Sequence, residues 1–472
     1  MTGNERTDRF TAEQAARACG GDVVAGSADA QAGGVSTDTR TLRGGQAFFA
    51  LVGPRHDGHA YLPHAVAAGA SVLVVQRWDA AWRLPEHVAV VQAPDTERAL
   101  LALAAWHRSR LAATVLAVTG SCGKSTVKTM IGDILASGAR CTVAPASFNN
   151  RIGVSHTLLA AAPDDDFVVI EMGTNHPGEI DELAAAARPD AGVITSIAKV
   201  HLEGLGDLAG VREAKAELIP RLDPQGTLVL NADNPVCLSL AGRYGGTVRT
   251  FGASGAADVR CTCIRRDGEG WAFRALGQTF RLPGGARHDV FNAGAALCAT
   301  ERLGVAPAAA SHALARFRPP PMRYQKIEIN GVLFILDCYN SNPAAMRAAL
   351  RSFLCERNGG RKVVVCGDML ELGEASTELH RELGRDLADS PADVLVAVGR
   401  RAWNVMKGWH SRGRSLRTAL YFPSAEPAWR PLWRRLRPGD AVLVKGSRAM
   451  HLETITRNII EHVGQLRKDT AA

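Results

Sequence analysis

Apolar runs of five to seven residues, most of them closing on a polar residue or a glycine, recur along this chain between stretches with helix-like spacing. TVLAV (114–118), FVVIE (167–171), AGVITS (191–196) and TLVLN (227–231) form one set. VLFILD (332–337), KVVVCG (362–367), DVLVAVG (393–399) and AVLVKG (441–446) form a second. Runs this short, without polar alternation, are the pattern of strands buried on both faces, and the helical segments between them supply the cover. The chain therefore reads as an α/β protein with mostly parallel sheets, whose ligands collect at the carboxyl ends of the strands.

Two interruptions divide the rhythm. In RFRPPPMR (316–323) three prolines follow an alanine-rich helical pattern, and no helix can continue through them, so a hinge or linker is expected there. A softer boundary lies where an Ala/Leu-rich helix through Leu100 to Arg110 gives way to the strand at Thr114. Three units follow: 1–110, a central 111–318 and a C-terminal 319–472. Neither low-complexity segments nor short-period repeats are visible.

Composition adds limits. With 472 residues, 46% hydrophobic and 22% charged, the chain is an ordinary globular protein large enough for several cores. Its net charge of +8 comes from scattered basic residues, with only short groups such as Arg265-Arg266 and Arg434-Arg435. That distribution suits anionic small-molecule substrates and argues against nucleic acid. Ten cysteines without a CxxC pair indicate neither zinc nor a disulfide framework, the closest couple being Cys261 and Cys263 on a strand-like segment. MTGNERTDRF lacks the apolar core of a signal peptide and no apolar run reaches the length of a membrane span, so a cytoplasmic protein is expected.

The strongest chemical signal is TGSCGKSTVK, Thr119 to Lys128, placed between a buried strand and a helix that starts near Lys124. Gly120 and Gly123 let the backbone turn and aim N–H groups at phosphate oxygens, Lys124 adds a point charge, and Ser125 can hold magnesium. Ser121 and Thr126 complete this nucleotide-binding set. The spacing departs from the full Walker pattern, whose outer glycine falls on Val118. Glu171 ends its strand on the same edge, where it is either a metal ligand or a solvated strand-end acid. Val211, Lys215, Leu218 and Ile219 share one helical face; a lysine there must snorkel, pair with an acid or lose its charge. His201 follows a strand and is either structural or a ligand. Asp337 and the YNSNP after it form a hydrogen-bonding loop over a strand edge.

Taken in order, these stretches resemble the Mur ligases. STDTR (36–40), HDGH (56–59), TGSCGKST, FNNRIG (148–153), EMGTNHPGEI (171–180) and HLEGLG (201–206) carry the likeness. So do AKAE (214–217), NADN (231–234), DCYNSNP (337–343), GDMLELG (367–373) and VKGSR (444–448). The likeness spans nearly the whole chain.

The resemblance implies a UDP-sugar-binding N-terminal domain, a central ATPase-type domain on a parallel sheet, and a Rossmann-like C-terminal domain that closes over the nucleotide. It implies ATP and Mg2+ as cofactors, with phosphorylation of a peptide carboxylate followed by attack of an amine. GDMLELG and YNSNP are similar to members that join D-alanyl-D-alanine to UDP-N-acetylmuramoyl-tripeptide. Members adding a single amino acid carry an Asp-Asn-Pro-Arg signature, which is absent here. A non-catalytic precursor-binding protein is the alternative from another class, and joint retention of Lys124, Ser125, Glu171, His201 and Lys215 speaks against it.

By the same resemblance Lys124 contacts the transferring phosphate, Ser125 the first magnesium, and Glu171 and His201 a second. Lys215 matches a carbamylated position that supports the metal, and Lys124, Lys215 and His201 are the expected catalytic residues. Asn292 matches an adenine contact, Arg323 a phosphate contact and Asp337 a ribose contact. Thr37 and Thr39 match the uridine end, and Asn149, Asn150, Asn340 and Asn342 are expected to touch substrate. Leu336, Ser196 and Asp289 depart from the family's usual residues. The expectation is a monomer.

Overall fold

The computed structural model describes residues 9–471 apart from 80, 83, 357–358 and 415–417. Its N-terminal sheet has five strands in the order Asp22–Ala25, Ala89–Gln92, Val72–Val75, Ala47–Phe49 and Val35–Ser36. All pair in parallel except Asp22–Ala25 at the edge. The helix Thr96–Arg108 follows, and Asp95 starts it by accepting hydrogen bonds from the Glu97 and Arg98 amides. Its buried Leu100, Leu101, Leu103 and Ala104 pack on the helices Arg151–Ala160 and Glu179–Ala187 of the next unit. This helix is therefore a seam shared by two sheets.

Seven strands, all parallel, make the central sheet. They run Val259–Arg260, Thr247–Gly252, Thr227–Asn231, Ala191–Ile194, Thr114–Thr119, Phe167–Glu171 and Cys141–Val143. Thr114–Thr119 lies between Ala191–Ile194 and Phe167–Glu171, so the chain departs to either side of it. Such a switch point opens a crevice at the carboxyl ends of the strands. Register sets Glu171 opposite Val118, which brings that carboxylate beside the phosphate loop.

A three-stranded antiparallel sheet, Thr262–Asp267, Gly270–Ala275 and Gln278–Leu282, interrupts the expected alternation. Its buried Trp271, Phe273 and Phe280 join the core beneath the helix Asp289–Glu301. Gly268 and Gly277, both at positive φ, sit at its two turns.

The third sheet runs Gln325–Ile329, Val332–Leu336, Ala441–Lys445, Lys362–Gly367, Val394–Val398 and Ala419–Phe422, with only the first strand antiparallel. Its four inner strands are those expected from the apolar runs. Between the second and third sheets, Pro319 to Pro321 are bracketed by Phe317 and Tyr324, both almost fully buried. The bend is concentrated after the prolines, where Met322 and Tyr324 have φ of 57° and 55°. Among the described residues, no helix is long and apolar enough to cross a membrane.

Candidate active site

The strand Thr114–Thr119 runs into Gly120, whose φ is 139°. A Cβ there would lie 2.0 Å from Thr195 Oγ1, so only glycine lets the loop lie against the neighbouring strand end. Gly123, at φ 88°, precedes the helix Lys124–Leu135, and its Cβ would meet Asn292 Oδ1 at 2.5 Å. Ser196 braces the loop: its carbonyl accepts from the Ser121 amide at 2.8 Å and its hydroxyl from the Cys122 amide at 3.2 Å. Serine at this departing position is thus built into the loop.

Lys124 folds back to donate to the Gly120 carbonyl at 2.7 Å. Burial lowers its pKa, and the Glu171 carboxylate opposes the shift. Ser125 Oγ lies 3.1 Å from Ser147 Oγ and accepts from Arg323 Nη2 at 3.2 Å. Arg323 stacks on Tyr339, with 4.4 Å from guanidinium to ring centre. Lys128, one helical turn after Lys124, is buried and donates to the Ala144 and Ala146 carbonyls at 2.5 and 2.6 Å. It pins the loop that delivers Ser147, Asn149 and Asn150.

Three groups bear on metal binding. Glu171 is fully buried; Oε1 accepts from Asn149 Nδ2 at 2.8 Å, while Oε2 has no partner. Lys215, in the helix Leu208–Ala216, is also fully buried with no partner for Nζ. It does not snorkel, which removes that alternative. Desolvation first, and then the charge of Lys124, push its pKa well below the ordinary 10.5. His201 lines one cavity with Glu171, and its Nδ1 lies 2.5 Å from Glu371 Oε2. Glu171 Oε2, orphaned in the cavity that His201 also lines, fits a cation, although among the described residues no three His, Cys, Asp or Glu side chains cluster to hold one by themselves; the orphaned Lys215 amine is costly to bury and could serve a cation only after conversion to an anion.

Two cavities meet at the loop. One, of about 450 Å3, is lined by Ser147, Asn149, Asn150, Arg151, Glu171, Glu179, His201 and Tyr339. The other, of about 380 Å3, is lined by Gly123, Ser125, Thr126, Asn231, Phe251, Asn292, Asp337, Asn342 and Arg351. Lys124, Arg323 and Asn340 line both. In the second cavity Asp337 pairs with Lys445 at 2.8 Å, and Asn292 donates to Asp289 Oδ1 at 2.9 Å. Aspartate at this departing position holds the asparagine in place.

Of the expected substrate contacts, Asn149, Asn150 and Asn340 reach the first cavity, whereas Asn342 lies in the second. There Asn342 caps the helix Pro343–Leu354 by accepting from the Ala345 amide at 2.8 Å. Asn150 is likewise a cap, accepting from the Gly153 amide at 2.9 Å. Thr37 and Thr39 line neither cavity; Thr37 Oγ1 lies 3.1 Å from His156 Nε2, across the first and second units. Leu336 is buried in the third sheet. Sequence reasoning missed Lys128, Ser147, Arg151, Tyr339, Arg351, Glu371 and Lys445. Lys128, Arg151, Tyr339, Glu371 and Lys445 lie within the stretches quoted above without having been singled out, whereas Ser147 and Arg351 lie outside them.

Comparison with known proteins agrees with this geometry. Residues 118–300 match the Mur ligase middle domain and 322–448 the Mur ligase, glutamate ligase domain. The chain belongs to the Mur ligase family. A UDP-N-acetylmuramoyl-tripeptide–D-alanyl-D-alanine ligase of Bacillus subtilis (strain 168) is 34% identical to this Mur ligase over 432 residues, covering 91% of it and 93% of the relative. The crystal structure of MurF from Acinetobacter baumannii superposes with a TM-score of 0.87 at 31% identity, over 97% of this chain and 100% of that one. The MurF ligase from Thermotoga maritima in complex with ADP gives 0.80 at 26% identity, over 91% and 98%. The three-domain α/β architecture of this Mur ligase is that of MurF.

Proposed function

We infer that this Mur ligase uses ATP to join D-alanyl-D-alanine to UDP-N-acetylmuramoyl-tripeptide in peptidoglycan synthesis, through an acyl phosphate. The observation that carries the reading is the wall of Lys124, Arg323 and Asn340 shared by two cavities. A nucleotide in one and a carboxylate in the other are thereby brought to opposite sides of two cations. Transfer of the terminal phosphoryl group to the carboxylate turns a poor electrophile into one with a good leaving group. The dipeptide amine then adds to the acyl carbon, the C–O bond to phosphate breaks, and inorganic phosphate leaves as the amide forms.

Lys124 and Arg323 neutralise charge on the transferring group, and the loop amides hold the other phosphates. Asn292 meets the base, and Asp337, already neutralised by Lys445, meets the ribose. Ser125 would hold a first magnesium ion, and Glu171 and His201 a second, which together would offset the repulsion between nucleotide and carboxylate. Lys215 as a carbamate would supply that site with a further anion. Asn149, Asn150 and Asn340 line the path of the peptide, while Thr37 and Thr39 belong to the end that holds uridine. We place the domain limits at 1–110, 111–318 and 319–472, and the enzyme in the cytoplasm as a monomer.

The test supplies UDP-muramoyl-tripeptide, ATP, magnesium and a panel of amino acids and dipeptides, with products identified by mass. D-Alanyl-D-alanine should be the productive amine. Efficient joining of a single amino acid to a dipeptide-bearing precursor would overturn the assignment. Lys124→Ala should abolish ADP formation in a folded protein, and an active variant would remove Lys124 from phosphoryl transfer.

A further inference from the structure

His201 and Glu371 belong to different domains, and each holds a left-handed backbone, with φ of 51° and 62°. Non-glycine residues adopt that conformation at a cost, so its occurrence on both sides of one hydrogen bond calls for a reason. The Glu371 loop is fixed from behind. Met369 N donates to His380 Nε2 at 3.0 Å, Leu370 N to Ser447 Oγ at 2.9 Å, and Ser447 N to the Asp368 carbonyl at 3.1 Å. It also docks directly on the His201 turn. Glu203 N donates to the Glu371 carbonyl at 3.3 Å, and a Cβ on Gly373 would stand 3.4 Å from Glu203 Cα.

The imidazole is thus gripped from the C-terminal domain at Nδ1, 2.5 Å from Glu371 Oε2. A hydrogen donated from Nδ1 leaves Nε2 as the lone-pair nitrogen, in a ring that lines the cavity shared with Glu171.

We propose that Glu371 is a positioning residue which sets the tautomer and orientation of His201, so that docking of the C-terminal domain completes the metal site of the central domain. The inference rests on the reading of His201 as a metal ligand. Its consequence is an ordering device: the domain that supplies Arg323 and Asn340 also finishes the site at which the carboxylate is activated. An undocked C-terminal domain leaves the imidazole free to rotate and the metal weakly held.

The test uses the full chain with a non-hydrolysable ATP analogue and Mn2+ as the probe. Mn2+ affinity is read from the resonance of the free ion, and compaction from small-angle scattering. Glu371→Ala should weaken Mn2+ binding by about 10- to 100-fold, the range for loss of a carboxylate behind a ligating histidine. It should also abolish Mn2+-induced compaction. Glu371→Gln, which keeps an acceptor for Nδ1, should recover much of the affinity, and it stands in if the alanine variant is unstable. His201→Ala separates the two layers of argument. If it weakens Mn2+ binding while both Glu371 variants bind as wild type, the positioning role is wrong and the ligand assignment stands. If none of the three alters binding, the ligand assignment of His201 fails with it.

Discussion

An ammonium in water keeps its proton until the solution is strongly alkaline, whereas Lys215 is buried without an acceptor and feels the charge of Lys124. Both effects favour the neutral amine, the form that adds carbon dioxide. If the resulting carbamate supports the metal, Lys215→Ala should be almost inactive, and acetate should restore part of the rate by supplying oxygens in the vacated space. Full activity without acetate would leave Glu171 and His201 as the candidate ligands of that metal. The same burial affects stability. The unfolded lysine holds its proton up to about 10.5 and the folded one releases it well below. In that window the unfolded chain binds more protons, so stability rises with pH. In carbon dioxide-free buffer Lys215→Met should therefore melt above wild type at neutral pH, with the gap closing as pH approaches 10.5. A gap that widened with pH would contradict the assignment.

The phosphate loop depends as much on what is missing from its side chains as on what is present. Gly123→Ala would force an L-residue into φ 88° and drive a methyl to 2.5 Å from Asn292 Oδ1. The backbone cost alone is about 1–2 kcal/mol, so ATP affinity should fall about 5- to 30-fold in calorimetry while the far-ultraviolet spectrum stays unchanged. Equal affinity would mean that Asn292 moves freely. Both this loop and the eight buried strands were legible in the sequence, because a strand covered on both faces and a glycine-lysine turn are local patterns. The hairpin joining Gln325–Ile329 to Val332–Leu336 was equally local and went unread. Its Asn330-Gly331 turn, with φ of 48° and 74°, is a strong short-range hairpin signal. The antiparallel sheet over 262–282 was absorbed into the surrounding α/β rhythm despite glycines at its turns. Glu371 and the pairing of Asp337 with Lys445 were illegible for another reason. Their partners lie in other elements far along the chain, and no local period encodes such contacts.

At the scale of the whole molecule the two boundaries differ in kind. The first has an apolar centre, with Leu100, Leu103 and Ala104 covering helices that bury Val154, Leu158, Leu183 and Ala184, and polar contacts such as Glu97 with Arg151 around it. At the second, the contacts include Arg323 with Ser125, Cys122 with Asn342, Glu356 with Arg266, and Lys326 with Glu269 at 3.2 Å. Polar seams of this kind separate at modest cost, whereas apolar ones behave as core. A fragment of residues 1–318 should therefore be soluble and melt cooperatively, while 111–472 should aggregate on gel filtration; the reverse result would exchange the roles of the two seams. The path across the second seam adds a constraint. Phe317 and Tyr324 are buried anchors, and the prolines between them favour an extended backbone of roughly 3 Å per residue. A tether so short and stiff permits the C-terminal domain to swing but not to wander. The face of that domain that carries Arg323 and Asn340 consequently meets the phosphate loop at a high effective concentration set by the geometry of the arm, and closure sacrifices little chain entropy.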